Sequence, residues 1–496
     1  MIILVSSKIT HKNIQASLGK PEYSYFFLMK DFLPVLERIG TVIQIQGLEE
    51  VDALHADFLA QGEQVVHLSV SPPHQTPLNI SCPTVCLFAW EFDSLPTLAW
   101  DADQHNDWRY VFSKIQGAIC TSCETAQLVS AAAQDGFPVI SLPAPIWDRY
   151  AHLGSNEGWP ALLVARSFEF SGIVIDSPLL GLSADGLVRK PESDMAEIQQ
   201  PLSDAPVVSS PVLAMNLKSA WQLSCALASG WWREIRHIDK AIAPASATQV
   251  DAEALQATMV SQEIVYEPQH ISVRGVVYCT VLNPADGRKN WVDIVTAFCW
   301  AFKRTEDATL IIKMTHHDLE YYRIVLITLL SRLAPFKCRV LVLHGFLEDV
   351  QYQALIDVST YYVNASTGEG LCLPLMEFLA SGKPAIAPAH TAMADYLNSQ
   401  LAFVLRTSLE PACWPHDPTG MLFTHKHRLD WQSLMEAFRD SYDVALSKPN
   451  HYQCMSRAAY SHMRDFASIS RVAGPLESFL SDVAARHSAA QQGVPL

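Results

Sequence analysis

The chain has a shortage of positive charge and of long apolar runs. Its 496 residues include 35 Lys and Arg against 51 Asp and Glu, which gives a formal net charge of −16. A nucleic-acid-binding protein needs a basic footprint, so this balance argues against a polynucleotide partner. No run approaches the roughly 20 apolar residues that span a bilayer. The opening residues MIILVSS lack the basic leader of a signal peptide and are expected to form a first strand.

A metal-binding cluster is also lacking. The eleven cysteines are odd in number and scattered, which favours reduced thiols and a cytoplasmic location. Two pairs have metal-like spacing, Cys82 with Cys86 and Cys120 with Cys123. No histidine cluster lies near them, and the adjacent His316 and His317 have no third ligand close in sequence. We therefore expect no metal and no other cofactor.

The pattern of apolar segments divides the chain into four parts. Residues 1–150 alternate between strand-like and helix-like runs, as do residues 271–445, and such alternation predicts two doubly wound parallel sheets. Residues 446–496 are helical in pattern and are expected to pack back on the N-terminal domain.

The stretch 151–270 breaks the alternation and is expected to be an insert. Pro, Ser, Ala and Asp dominate two parts of it, which is typical of linkers. Residues 168–182 are expected to form a small hairpin. Residues 217–238 form a helical pattern with three tryptophans and a thin basic end. This helix is expected to pack on one of the domains, and peripheral contact with a membrane is the alternative.

The run 366–387, STGEGLCLPLMEFLASGKPAIA, carries the main functional signal. Pro374 suits the first turn of a helix, and Gly382 suits the left-handed residue that ends one. Glu369 lies in the loop before this helix and Glu377 lies inside it. Ionised carboxylates accept hydrogen bonds from sugar hydroxyls, while backbone N–H groups and the helix dipole favour phosphate. The alternative is that Glu369 only stabilises the helix start and that Glu377 faces solvent.

This pattern of Glu, seven residues, Glu and then Ala-Ser-Gly-Lys-Pro resembles the nucleotide-sugar glycosyltransferases of the GT-B fold. Within that fold it is most similar to the retaining glycosyltransferase family 4 group. The resemblance implies two Rossmann-like domains that face each other across a cleft, with a C-terminal helix crossing back. It covers residues 275–400 best, residues 1–150 more loosely, and the insert not at all.

The run 283–290, NPADGRKN, follows the first strand of the second sheet. It places Arg288 and Lys289 at a helix N-terminus, where they and the backbone amides are expected to hold a pyrophosphate. The resemblance matches Lys289 with the lysine of the family. The family's arginine position falls on Asn283 or Pro284, so Arg288 is expected to substitute for it.

The resemblance extends to further donor-site residues. It implies that Glu369 contacts the sugar, Glu377 the ribose, and backbone near Gly345 the nucleobase. The resemblance also implies that residues of the loop before the helix, and the residue after the first strand of the second sheet, bind the donor. These are Gly368, Gly370, Leu371 and Cys372 in the loop, and Asn283 after the strand. Asp395 resembles a frequent carboxylate position, and capping explains it equally well.

The acceptor is expected at two loops of the N-terminal domain. Gly19, in the loop after the first strand, allows close approach of a backbone. Glu91 and Asp93 follow the fourth strand, where the family often has a histidine. The alternative is that both acids are turn or cap residues.

These observations predict a retaining glycosyltransferase that uses a nucleotide-sugar donor and a glycan or lipid-linked acceptor. One alternative is another enzyme of this fold, an epimerase or a phosphorylase, although no lysine has a context that suggests pyridoxal phosphate. The other is a catalytically inactive domain used as a scaffold.

Overall fold

The computed structural model describes residues 1–7, 23–154, 164–182, 267–316, 318–414, 417 and 420–491. All of them belong to one compact unit, which comprises Met1–Leu187 and Tyr266–Leu496. The first half below means the described residues up to 154, and the second half means those from 164 onward. The Trp-rich segment 217–238 lies outside the described residues.

The first half is built on a six-stranded parallel sheet. Its strands are β1 (Ile2–Ser6), β2 (Thr41–Gln44), β3 (Val65–Val70), β4 (Thr84–Phe88), β5 (Gly117–Cys120) and β6 (Val139–Ser141), in the order β2-β1-β3-β4-β5-β6. Its helices are α1 (Tyr23–Ile39), α2 (Glu49–Ala60), α3 (Trp108–Phe112), α4 (Cys123–Ala132) and α5 (Trp147–Gly154). β3 and β4 are buried on both faces, as expected for strands covered by helices on each side.

The second half is built on a seven-stranded sheet. Three strands come before its parallel strands in the chain: β7 (Arg166–Phe170), β8 (Ile173–Asp176) and β9 (Gln269–Val273). Of these, only β8 belongs to the seven-stranded sheet, while β7 and β9 pair with each other in a separate two-stranded sheet. The parallel strands are β10 (Val276–Leu282), β11 (Ala308–Met314), β12 (Arg339–His344), β13 (Tyr361–Val363), β14 (Ala385–Pro388) and β15 (Ala402–Leu405). The order is β15-β14-β13-β10-β11-β12-β8, with only β8 antiparallel to its neighbour.

Four helices connect the parallel strands of this sheet. They are α6 (Trp291–Ala301), α7 (Leu319–Leu333), α8 (Asp349–Val358) and α9 (Leu373–Ala380). The chain runs outward from β10 to β12, then returns to build β13 to β15 on the other side of β10. The strand order therefore reverses between β10 and β13, and this position is called the switch point of the sheet. In sheets of this kind, ligands usually bind in the crevice outside the carboxyl ends of the two strands at the switch point.

The C-terminal part crosses back to the first sheet, as the sequence predicts. It follows an antiparallel hairpin, β16 (Thr407–Cys413) and β17 (Phe423–Leu429), and contains α10 (Trp431–Ser447), α11 (Pro449–Ala467) and α12 (Ile469–Gln491). Phe479 and Val483 of α12 pack so closely on Gly117 that a Cβ there would lie 3.2 Å from each. The two parallel sheets with this returning helix confirm the predicted GT-B architecture.

The predicted hairpin at residues 168–182 is wrong. β7 pairs with β9, and β8 adds to the edge of the seven-stranded sheet beside β12. Arg339 holds this edge together, since its guanidinium donates to the Asp176 carboxylate at 2.8 and 2.9 Å and to the Ser272 carbonyl. Both strands thus find partners distant in sequence, whereas an isolated two-stranded hairpin is only marginally stable.

The helix α9 begins and ends as its sequence indicates. Pro374 lies in the first turn, and Gly382 adopts the left-handed conformation with φ +69° just after the helix. We expect Gly382→Ala to destabilise the protein by about 1–2 kcal/mol, the usual cost of a side chain in this conformation. The midpoint of thermal unfolding measures the loss.

The matched control is Gly287→Ala, because Gly287 has no positive φ and a Cβ there would meet open space. Equal unfolding midpoints for the two variants would contradict the expectation.

Candidate functional site

The switch point brings together two loops of the second half. Residues 283–290 follow β10 and residues 364–372 follow β13, which are adjacent parallel strands. The backbone N–H of Thr367 donates to the carbonyl of Arg288 at 2.9 Å. The Arg288 guanidinium in turn donates to the carbonyl of Gly368 at 3.3 Å. The predicted diphosphate loop and the predicted sugar loop are therefore in direct contact.

The buried Glu369 and the partly buried Lys289 form an ion pair at the centre of this contact. The Lys289 ammonium lies 2.7 and 2.8 Å from the two carboxylate oxygens. Ser366 and Asn364 donate to the same carboxylate at 2.6 and 3.1 Å. Burial raises the pKa of Glu369, but the nearby charges of Lys289 and Arg288 outweigh it and hold that pKa at about 2. Glu369 is therefore an ionised acceptor throughout the neutral pH range.

Arg288 connects the two halves of the molecule. Its guanidinium binds Asp286, which precedes it, at 2.8 Å and Glu91 of the first half at 2.8 Å. Glu91 was predicted on the acceptor side, and the structure shows it paired with the predicted pyrophosphate cation. The two candidate cations of this edge, Arg288 and Lys289, are thus balanced by carboxylates.

The glycines of the sugar loop lie against the first half. A Cβ on Gly368 would come within 2.8 Å of the Glu91 carbonyl, and one on Gly370 within 2.8 Å of the Trp90 nitrogen. The hydroxyl of Thr121 also donates to the Gly370 carbonyl at 2.7 Å. Close contact between the halves therefore accounts for both glycines.

The next two residues complete the turn into α9. The carbonyl of Leu371 accepts a hydrogen bond from the Tyr396 hydroxyl at 2.9 Å. Cys372 is the N-cap of α9 and has φ +63°, a rare conformation for a non-glycine residue. Its side chain is buried. This strained residue lies at the start of α9, where the backbone amides predicted to bind phosphate begin.

Glu377 is buried and is bound by two tyrosines, so the alternative that it faces solvent is wrong. The Tyr150 hydroxyl of α5 donates to one Glu377 oxygen at 3.1 Å, and the Tyr352 hydroxyl of α8 donates to the other at 2.5 Å. Burial raises the pKa of Glu377, while these hydroxyls oppose the rise. These tyrosines bind the carboxylate that the resemblance assigned to the ribose.

A charged network that the sequence gives no sign of lies beside Glu377. Arg149 of α5 binds Asp31 of α1 at 3.1 Å and Asp349 of α8 at 2.7 Å. Lys30 binds the same Asp349 at 2.8 Å. Burial and the neighbouring Glu377 raise the pKa of Asp31 to about 7, against the opposing charge of Arg149.

A second connection between the halves involves Asp93 and the β16–β17 hairpin. The Asp93 carboxylate accepts from the Thr424 hydroxyl at 2.7 Å and from the His425 backbone at 2.9 Å. Its other oxygen lies 2.7 Å from Nδ1 of His425. Trp90 packs on Trp414, with ring centroids 5.6 Å apart. No local pattern in the sequence indicates this hairpin, because β16 and β17 are largely exposed and Pro411 interrupts the strand pattern.

The remaining predicted residues take separate places. The side chain of Asn283 accepts from the Ala285 backbone at 3.0 Å, so it shapes the start of its own loop. Gly345 lies next to Phe170, because a Cβ built on the glycine would lie 3.4 Å from the Phe170 ring. Asp395 accepts from the backbone N–H of Cys123 at 2.7 Å and so caps α4 from the other half, which favours the capping alternative. Gly19 and His317 lie outside the described residues.

Two further properties concern metals and membranes. Within the described ranges, no group of three or more His, Cys, Asp or Glu side chains is arranged to hold a metal ion. None of the helices in this part of the chain is both long enough and apolar enough to cross a membrane.

Comparison with known proteins finds similarity only at the level of structure. No protein-family model and no curated sequence matches this chain. Sucrose-phosphate synthase from Thermosynechococcus elongatus is 11% identical over 98% of this chain and 99% of its own, with a TM-score of 0.49. HepE from Anabaena, solved with UDP and glucose, is 10% identical over 97% and 99%, with a TM-score of 0.46.

The pneumococcal O-GlcNAc transferase GtfA, solved with UDP and GlcNAc, is 11% identical over 87% of this chain, with a TM-score of 0.42. This chain spans 59% of the length of that one. These similarities are distant, and the fold assignment rests on the strand order of the two sheets.

The tyrosine contacts of Glu377 lead to a first prediction for this site. Tyr352→Phe removes the donor at 2.5 Å and leaves a buried carboxylate oxygen without that partner, so we expect a loss of stability of about 1–3 kcal/mol. Thermal unfolding of the variant measures it. Tyr321→Phe is the control, because Tyr321 is 58% exposed on α7. The contact would be energetically unimportant if both variants unfolded at the wild-type temperature.

The pKa of Asp31 leads to a second prediction. A carboxyl group whose pKa is raised on folding costs stability as pH rises from its unfolded pKa, about 4, to its folded pKa. We expect Asp31→Asn, which keeps an acceptor for Arg149, to become more stable than wild type across this window by roughly 1 kcal/mol or more. The advantage should be small at pH 5 and largest above pH 7.

Unfolding midpoints of both proteins at pH 5 and pH 8 test this expectation. Asp57→Asn, which changes an exposed carboxylate of α2, should differ little from wild type at either pH. A constant difference between Asp31→Asn and wild type at the two pH values would show that Asp31 does not titrate in this range.

Proposed function

We propose that this protein is a glycosyltransferase that moves a sugar from a nucleotide-diphosphate-sugar donor to a glycan or lipid-linked acceptor. The observation that carries the proposal is the Lys289–Glu369 ion pair at the switch point of the second sheet. A cation and an ionised acceptor at this position suit a ligand that offers both phosphate and hydroxyl groups.

The chemistry follows from these two groups. In the proposed reaction the bond between the anomeric carbon and the diphosphate oxygen breaks, and negative charge develops on the departing diphosphate. Lys289, with Arg288 beside it, would stabilise that charge, and the amides at the start of α9 would add to it. Glu369 would accept hydrogen bonds from sugar hydroxyls and so fix the position of the ring.

Donor binding requires the two halves to separate at this edge. The backbone of Trp90 and Glu91 lies against Gly368 and Gly370, and Glu91 occupies one side of the Arg288 guanidinium. Each of these contacts would be exchanged for a contact with the donor. Opening and closing of domains around a ligand is a common way to assemble a site and exclude water.

The finer parts of the proposal come from the motif resemblance. It favours retention of the anomeric configuration, with attack on the face of the leaving group and the departing phosphate taking up the acceptor proton. It also favours a cytoplasmic role in bacterial surface polysaccharide or glycolipid synthesis. Peripheral membrane contact through residues 217–238 is a separate alternative, which the resemblance does not cover. The Glu377–ribose contact would require displacement of Tyr150 and Tyr352.

A catalytically inactive scaffold is the second candidate. It is favoured by the internal partners of the key groups, because Glu369, Glu377, Arg288 and Lys289 all bind other side chains of this protein. In that role these contacts would simply hold the two halves together.

The experiment that separates the two candidates is ligand-dependent unfolding. UDP, GDP, ADP and their sugar conjugates are added to wild type, Lys289→Met and Glu369→Gln. A ligand that binds only the folded state at 100 times its dissociation constant stabilises it by about 2.7 kcal/mol. We expect one nucleotide class to raise the wild-type unfolding temperature and Lys289→Met to lose that response. Lys303→Met, an exposed lysine beyond α6, is the control.

The nucleotide class that binds is then tested for transfer, with the anomeric configuration of the product read by NMR. An inverted product would remove the retaining assignment and leave the transferase proposal. If no nucleotide or nucleotide sugar stabilises wild type, the enzyme proposal is abandoned in favour of the scaffold.

A further inference from the structure

The charge balance at the switch point is unfavourable for a diphosphate. Two cations, Arg288 and Lys289, contact three carboxylates there, those of Asp286, Glu91 and Glu369. A diphosphate that approached this group would meet a net negative charge at short range. Even after Glu91 moves away with the first half, the remaining cations are only balanced. The proposed donor site therefore needs another source of positive charge.

Lys313 is a buried lysine on the same sheet, one strand away. It is the penultimate residue of β11 and is only 3% exposed. It makes no hydrogen bond or ion pair with any residue that the structure describes. This arrangement is unfavourable, because the amine of an almost entirely buried side chain loses part of its hydration without gaining a hydrogen bond from the described residues. A methionine would fill the same volume without that cost.

The register of the sheet places Lys313 next to the candidate site. Lys313 is level with Val281 of β10 on one side and with Leu343 of β12 on the other. Level residues on neighbouring strands lie on the same face of a sheet, about 4.8 Å apart. Val281 lies two residues before Asn283, where the predicted diphosphate loop begins, and Leu343 lies two residues before Gly345. Lys313 thus sits between the two strand ends that the sequence assigned to diphosphate and nucleobase.

The surroundings of Lys313 include few charges. His344 at the end of β12 interacts with it electrostatically, and the Nε2 atom of that histidine lies 2.6 Å from the carbonyl of His316. Burial lowers the pKa of Lys313 to about 7, so the amine is partly neutral at physiological pH. A neutral amine has no carboxylate to give up before it can bind an anion, unlike Arg288 and Lys289.

The first half covers part of this edge. Phe26 of α1 packs on Phe346, which follows β12 by two residues. Separation of the halves for donor binding would remove this cover along with the contact between Glu91 and Arg288.

We propose that Lys313 is a further diphosphate-binding cation of this site, in addition to Lys289 and Arg288, and that it takes up a proton when the phosphate groups of a nucleotide bind. This inference rests on the proposed function. It assigns to β11 a role that the sequence assigned only to the loop after β10. The step moves one proton from solvent to the amine and changes no covalent bond between heavy atoms.

The experiment compares the binding of UDP, GDP and ADP with that of uridine, guanosine and adenosine by calorimetry. Wild type, Lys313→Met and the control Lys337→Met are used. Lys337 is an exposed lysine that pairs with Glu306 before β12 begins. Lys313→Met should weaken the preferred nucleoside diphosphate at least tenfold and leave the nucleoside unchanged. Lys337→Met should bind both as wild type does. Inorganic pyrophosphate, added alone, shows whether the anion binds without a nucleoside.

Proton uptake is a second readout that a merely structural lysine would not affect. At pH 8, measurements in buffers with different ionisation enthalpies should show close to one proton bound per diphosphate by wild type and none by Lys313→Met. Because methionine replaces an unpaired buried amine, the variant should unfold at or above the wild-type temperature, so a misfolded protein would be recognised.

The outcomes are distinguishable. If wild type binds the diphosphate and Lys313→Met binds it equally well with the same proton uptake, this inference is wrong and the proposed function stands. If wild type binds no diphosphate, the proposed function fails and this inference fails with it.

Discussion

The ion pair between Lys289 and Glu369 is the interaction on which the candidate site depends. It joins the loops that leave β10 and β13, the two strands between which the order of the sheet reverses. Ser366 and Asn364 donate to one of the two carboxylate oxygens that Lys289 also binds, so several donors hold the carboxylate in place. Because the Glu369 carboxylate is buried, removing Lys289 would leave an uncompensated charge, which is more costly than the pair itself. A ligand that binds Lys289 or Glu369 must therefore replace the hydrogen bonds and the charge of the partner that it displaces.

Two further groups of polar contacts hold the two halves together. Asp93 binds the β16–β17 hairpin, and Arg149 bridges Asp31 and Asp349. Apolar contacts add to these polar ones, because Trp90 packs on Trp414 and one apolar cluster contains residues of both halves. Water can replace the polar contacts when the halves separate, whereas exposure of the apolar contacts costs free energy.

Local pattern in the sequence predicts much of the fold. Apolar strands between helical segments predict the two parallel sheets, and Pro374 with Gly382 predicts the bounds of α9 closely. The site is predicted in part, because Lys289 and Glu369 lie in loops that follow strands of the second sheet. The tyrosine partners of Glu377 could not be predicted in this way, since they lie 25 and 227 residues from it and no local pattern links them to it. The exposed hairpin and the isolation of Lys313 likewise depend on tertiary packing, which a single sequence does not display.

The return of α12 to the first sheet has a consequence for biosynthesis. Residues 469–491 cover part of a sheet whose strands all lie before residue 142, and Gly117 is shaped to receive Phe479 and Val483. During translation all strands of the first sheet are therefore synthesised long before α12, the helix that covers part of it. The nascent first half must expose an apolar surface while more than three hundred further residues are added. Exposed surface of this kind is prone to aggregation and is what chaperones recognise, so the order of synthesis makes the first half of this protein a natural chaperone client.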